Sequence, residues 1–225
     1  MAALRDTRSV RLASIVVLSI VLLDGCATSR AILDVRTAEA ANPEQGTALR
    51  VDSVVDARQF SPNPPEANLP SLKQEDIDNV AIKSRAIARK RNGFGKALGD
   101  VLLSEGRTVQ DLTREAVTGG LRNGGYRVLR ATDDGYAEAT PVVVTIDKFW
   151  GWLRPGFWQI ALEFELAITV TANVEPFTDG QKFTGASRRE GQAATNDAWL
   201  EAAEQGLSSL EQNIAAGLSS HPKSP

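Results

Sequence analysis

Residues 157–174 read FWQIALEFELAITVTANV. Every even position from Trp158 to Val174 is apolar. Gln159, Glu163, Glu165, Thr169, Thr171 and Asn173 stand between them, with Ala161 and Ala167 as small exceptions. Alternation with a period of two builds a sheet that has one face on a core and the other in water, the habit of antiparallel sheets. A strand of this length predicts a bulge or bend along it. Outward from it, 141–150 reads as the preceding strand and GWLRPG (151–156) as the turn between the two. FTDG (177–180) turns the chain into a third strand at 182–191.

Two helical patterns flank this meander. Thr108 is suited to cap a helix running through Asn123, with Asp111 in its first turn and Val109, Leu112, Ala116, Val117 and Leu121 on one face. Gly124-Gly125 then ends it. Thr195 or Asn196 opens a last helix to about residue 218, whose stripe is Trp199, Leu200, Ala203, Leu207, Leu210, Ile214 and Leu218. Strands at 47–55 and 126–129 extend the sheet. The apolar sheet face has only these helices to bury against. The expected fold is therefore α+β, a two-layer sandwich with a mainly antiparallel sheet and both helices packed on one face.

The chain has 225 residues, 42% of them hydrophobic, with 25 Lys and Arg against 28 Asp and Glu for a formal charge of -3. That balance excludes a general nucleic-acid binder, and one Cys with one His excludes a disulfide framework or a Cys/His metal site. Arg5, Arg8 and Arg11 precede an apolar run of twelve residues, 12–23, too short for a membrane span of about 20 residues. The run stops at Asp24-Gly25-Cys26. This resembles a bacterial lipoprotein signal, with Leu23, Asp24, Gly25 and Cys26 in the lipobox positions, although Asp24 stands where a small uncharged residue is usual. The resemblance implies that the Cys26 thiol is acylated, that 1–25 is removed, and that Ala27 directs the protein to the outer membrane. More than one acyl chain holds a protein stably, whereas a single chain is marginal.

Beyond the anchor, 26–46 reads as a flexible tether and 47–220 as a single α+β domain, followed by the tail 221–225. Within the domain, the proline-rich stretch 59–77 reads as an exposed loop. The basic run of Lys83, Arg85, Arg89, Lys90, Arg91 and Lys96, with Gly93 and Gly95, reads as a solvated segment with a glycine turn and not as a phosphate loop, since no buried strand leads into it.

A strand ending in Asp56-x-Arg58, the segment Arg91-Asn-Gly-Phe-Gly95, a helix closing on Gly-Gly-Tyr126, a long hairpin and a C-terminal helix follow the lipobox. This layout resembles the YajG-like group of small Gram-negative lipoproteins over nearly all of the mature chain. The resemblance implies a location and a fold more than an activity.

Chemistry is sparse. His221 lies in the polar tail, Cys26 is committed to acylation, and Glu163 and Glu165 share the wet sheet face. No catalytic residue, cofactor or metal is expected, and the chain is read as a non-catalytic protein. The feature above background is FWGWLRPGFW (149–158). Trp150, Trp152, Leu153, Arg154 and Phe157 form the expected interaction surface, because aromatic bodies with one polar N–H favour protein hot spots and membrane interfaces. In this register Trp150 shares a face with Val142, Val144 and Ile146, Trp158 lies on the apolar register, and Trp152 and Leu153 occupy the turn. An aromatic cap on the core, a partner protein and the bilayer are the three readings of this cluster. The expected function is an outer-membrane-anchored, periplasm-facing lipoprotein that offers an α+β module to an envelope protein. The alternative is a binder of a lipid or small envelope ligand. Labelled fatty acid should enter the wild-type chain and be absent from Cys26→Ser, and equal labelling of both would remove the anchor.

Overall fold

The computed structural model describes residues 29–219, so Cys26, the leader and the tail lie outside the described residues. The strands are β1 (Ala31–Leu33), β2 (Ala48–Asp56), β3 (Ala86–Arg91), β4 (Ala97–Leu103), β5 (Arg127–Val128), β6 (Thr140–Pro155), β7 (Ile160–Ala172) and β8 (Gln181–Gly191). The helices are α1 (Val80–Lys83), α2 (Val109–Asn123) and α3 (Asn196–Ser219). All eight strands join one sheet.

That sheet is mixed, which corrects the expectation of a mainly antiparallel one. β6–β7, β7–β8 and β3–β4 pair antiparallel, as consecutive strands joined by hairpins do. β2 runs parallel to both β6 and β5, β3 parallel to β6, and β1 parallel to β4. Alternation along one strand reports which face is wet and carries nothing about the direction of the neighbour. Here the chain between β2 and β6 returns to the end where β2 began, so Leu49 lies beside Thr140 and Asp56 beside Ile146.

β6 is the member common to both halves. Its first part, to Ile146, borders β2, and Gly151 further along borders Ala88 of β3. Arg58 fills the place where one neighbour gives way to the other. Its side chain is fully buried; Nε and Nη2 each donate at 2.8 Å to an oxygen of Asp56. Nη1 and Nη2 also donate to the carbonyls of Ala86 (2.6 Å), Phe149 (3.1 Å) and Lys83 (2.8 Å). One guanidinium thus satisfies backbone acceptors that no strand reaches.

The bulge expected within the 157–174 strand lies instead in its partner: β7 runs without a register shift, and β6 carries the irregularity. Ile146 pairs with Ile168 but Lys148 with Ala167, so Asp147 is an extra residue. A one-residue bulge moves every later side chain to the other face. Val142, Val144 and Ile146 face the helices, whereas beyond the bulge it is Phe149 that does so, and Trp150 and Trp152 point away. The strand then continues to Pro155, so the turn falls at 156–159 and not at 151–156.

The helix side of the sheet holds the main core, where Leu112, Ala116, Val117 and Leu121 of α2 and Trp199, Leu207, Leu210 and Ile214 of α3 meet Phe164, Leu166, Ile168 and Val170. Thr108 and Asp111 close a reciprocal capping box on α2. The two helices touch at Gly120, where a Cβ would stand 2.6 Å from that of Ile214. α3 also shields the outer edge of the sheet: Ser209 Oγ accepts from Ala186 N, and Asn213 Nδ2 donates to Thr184 O.

The opposite face corrects two further expectations. β3 is buried throughout, so the basic run is neither solvated nor a loop there. Arg89 donates to the carbonyls of Pro62 (3.0 Å) and Leu72 (2.6 Å), and Arg91 to Pro64 O (2.8 Å) and Ser71 Oγ (3.1 Å). The 59–77 stretch is thereby drawn onto the sheet, where Leu72, Ala86, Leu102, Trp150 and Trp152 form a second apolar cluster. Charge alone could not reveal this, because a buried arginine is tolerated where carbonyls accept from it and a carboxylate lies near, as Asp100 does 3.5 Å from Arg89. The expected tether also enters the fold: Ala31 and Leu33 are buried in β1, and Val35 behind them is buried too.

Replacing Arg58 by methionine should lower the unfolding free energy by about 3–5 kcal/mol, the cost of leaving a buried partner unpaired. A urea titration of both proteins reads it, and a loss under ~1 kcal/mol, the scale of an exposed ion pair, would deny the residue this role.

Candidate functional site

The aromatic stretch is divided among three environments. Trp150 is buried under the 59–77 segment, with Nε1 donating to Ala67 O at 3.2 Å and Phe60 meeting its ring edge-on at 5.9 Å. Trp152 is buried beside it with the Lys148 ammonium 5.0 Å from its ring centre. Leu153 is half-buried against the main core. Arg154 is exposed and lies 3.6 Å from Glu163. Only Phe157 of the apolar members reaches water, 90% exposed, and Trp158 joins it at 82%, their rings edge-to-face at 4.8 Å. Trp158 therefore leaves the apolar register that its parity suggested, because strand pairing begins only at Ile160.

A concave site lies elsewhere. A half-open cleft of about 590 Å³ is bounded by residues 37–40, the outer face of α2, Val51, and residues 128–131 with Tyr136. Arg114, Thr118 and Arg122 line it from α2 and Arg130 from the far wall. The spacing of Arg114, Thr118 and Arg122 by four residues puts them on one helical face, a signal present in the sequence but masked by the stronger apolar stripe beside it.

Its electrostatics are uneven. Glu39 is 3.2 Å from Arg130, and Glu115 is held by Arg107 and by the Thr37 hydroxyl, the hydrogen bonds from Arg107 doing most to keep the Glu115 carboxyl below its ordinary value. Arg114 and Arg122 form no ion pair among the described residues. Arg114 donates to Val51 O. Arg122 is 8% exposed, donates to Ala40 O (3.1 Å) and Val128 O (3.3 Å), and leaves its buried Nε without a partner. Burial first, and then the charge of Arg130, pull the Arg122 guanidinium below its ordinary value. Such a cleft suits an anionic group with an apolar body, since a carboxylate brings the charge and acceptors that these arginines lack.

Beside the cleft, Glu211 of α3 packs against Gly119 and accepts from Asn123 Nδ2 at 2.8 Å. Burial pushes its carboxyl above the usual value, and the Asn123 hydrogen bond opposes this. Arg36 and Glu204 border the same hollow. Among the described residues, no group of three or more His, Cys, Asp or Glu is placed to hold a metal ion, and no helix is long and apolar enough to cross a membrane.

No family model matches the sequence, and no curated protein matches it. Among solved structures, the chain is similar to a Xanthomonas campestris protein of the family model DUF330, with a TM-score of 0.44 and 14% identity over 84% of this chain and 94% of that one. It is also similar to an uncharacterized protein, with a TM-score of 0.40 and 13% identity over 83% of this chain and 100% of that one.

The raised Glu211 carboxyl has a consequence for stability. The folded chain holds this proton at a pH where the unfolded chain has released it, so stability falls as pH rises above the ordinary glutamate range. Glu211→Gln keeps an oxygen for Asn123 and should raise the thermal midpoint at pH 7, with a gain that shrinks toward pH 4. A gain unchanged across that range would show that the charge is not what burial penalises.

Proposed function

We propose that this chain is a non-catalytic, outer-membrane-anchored lipoprotein whose α+β module faces the periplasm and binds a protein partner through the arginine cleft. The anchor rests on Arg5, Arg8 and Arg11, the apolar run and the sole cysteine at its end. The placement with YajG-like lipoproteins rests on the lipobox, Asp56-x-Arg58 and Gly-Gly-Tyr126. The description as a two-layer sandwich rests on α2 and α3 packing against the same sheet face.

The observation that carries the binding role is the grouping of Arg114, Arg122 and Arg130 on the walls of one open cleft, the first two without an ion pair among the described residues. Guanidinium groups without an acidic neighbour favour an anion, which a carboxylate matches with two acceptors. An acidic segment of a partner supplies both charge and acceptors to the arginines of the cleft. The volume of the cleft favours a second reading, a small anionic envelope ligand, since such sites typically occupy about 300–1,000 Å³.

Two substitutions separate these readings while sparing the arginines that hold the backbone. Thr118→Trp fills the cleft, and Arg130→Ala removes its most exposed cation. Mild crosslinking in the native envelope should recover a partner with the wild type and lose most of it with either variant. Recovery of the same partners by all three proteins would remove the cleft from protein binding. A small anion that co-purifies with the wild type alone would favour the ligand reading.

A further inference from the structure

Three aromatic side chains stand in water among the described residues: Phe94 (98% exposed), Phe157 and Trp158. Sheet register places them together. β3 runs parallel to β6 with Ala88 beside Gly151, so the two strands end in the same direction. β3 turns back through residues 92–96, which carry Phe94. β6 turns back through 156–159, which carry Phe157 and Trp158. The tips of the two hairpins therefore project from the same end of the sheet.

The chain enters the fold at that end too. β4 starts at the first hairpin tip and runs away from it, and β1 lies parallel to β4 with Ala31 beside Val101. Tracing back from Ala31 thus leads toward the tips. Ser29 stands beside Gly99, where a Cβ would come within 2.6 Å of its carbonyl oxygen, and Lys90 Nζ donates to that same oxygen at 3.2 Å. Cys26 is three residues further, a reach of about 10 Å, enough to come level with the 92–96 tip.

We infer that this end of the sheet is a lipid-contacting surface: Phe94, Phe157 and Trp158 enter the interfacial layer of the bilayer that holds the Cys26 acyl chains. Tryptophan and phenylalanine partition there, and a lipid already covalently held within reach turns weak partitioning into a standing contact. Lys96, exposed beside Phe94 and without an ion pair among the described residues, faces the anionic headgroups. The arginine cleft lies toward the opposite end, near Val51 and the start of β6, so the contact holds it away from the membrane.

This inference rests on the anchoring reading, and one experiment separates the two. The lipidated full chain, bearing a single added cysteine, is labelled with an environment-sensitive fluorophore and reconstituted in vesicles of phosphatidylethanolamine and phosphatidylglycerol. The label sites are Phe94→Cys and Trp158→Cys at the tips and Asp134→Cys at the far end. The tip labels should lose most of their emission to brominated acyl chains and resist iodide, while the Asp134 label does the reverse. Adding Phe94→Asp and Trp158→Asp together should leave flotation intact and abolish the bromolipid quenching of a Phe157→Cys label. Protein that floats with its tip labels open to iodide overturns the contact and leaves the anchor standing. Protein that fails to float removes the anchor, and the contact with it.

Discussion

The Arg58–Asp56 pair is the constraint around which the sheet is arranged. A strand that changes neighbours halfway along leaves backbone carbonyls facing a gap, and a gap in a buried sheet is costly unless something donates into it. Arg58 donates to three such carbonyls, from α1, β3 and β6, while Asp56 fixes the plane of its guanidinium through two further hydrogen bonds. The carboxylate lies only two residues away along the chain, so this part of the geometry is set before any long-range contact forms. A lysine, with a point charge and no fork, would not span the same acceptors.

The second determinant is the bulge at Asp147. It explains how one strand serves two apolar clusters on opposite faces: Val142, Val144 and Ile146 feed the helix side, whereas Trp150 and Trp152 feed the side covered by the proline-rich segment. That segment is held by Arg89 and Arg91 of β3, so a strand rich in cations serves as the floor for a loop rich in free carbonyls. Prolines cannot donate backbone hydrogen bonds but their carbonyls accept them, and the pairing of the two compositions follows from this.

Local elements were legible in the residues, and their relations were not. The alternation from Ile160 to Ala172, the Thr108–Asp111 cap, the left-handed Gly125 and the amphipathic last helix all follow from short-range rules that their residues obey. Parallel pairing of β2 with β6 depends on the path of the intervening chain, which periodicity does not encode. β1, three residues long, is too short for any period to register. Burial of Arg89 and Arg91 was hidden because their partners, the carbonyls of the 59–77 segment, Ser71 and Asp100 of β4, are brought to them only by the fold. The site fared likewise: the aromatic stretch stood out by composition, but a single inserted residue sent Trp150 and Trp152 inward and left Phe157 and Trp158 outside. The cleft drew its walls from segments far apart in the chain, and only the Arg114–Thr118–Arg122 spacing announced any of it.

Sharing β6 between the two halves of the sheet also fixes when the protein can fold. β2 finds its neighbours only in β5 and β6, so Leu49 waits for Val128 and Thr140, and β3 waits for Gly151. Contacts this distant along the chain form late and slowly. A nascent chain that ends before Thr140 holds the β3–β4 hairpin and α2 but lacks the strand that joins β2 to β3, so its two half-sheets cannot become one.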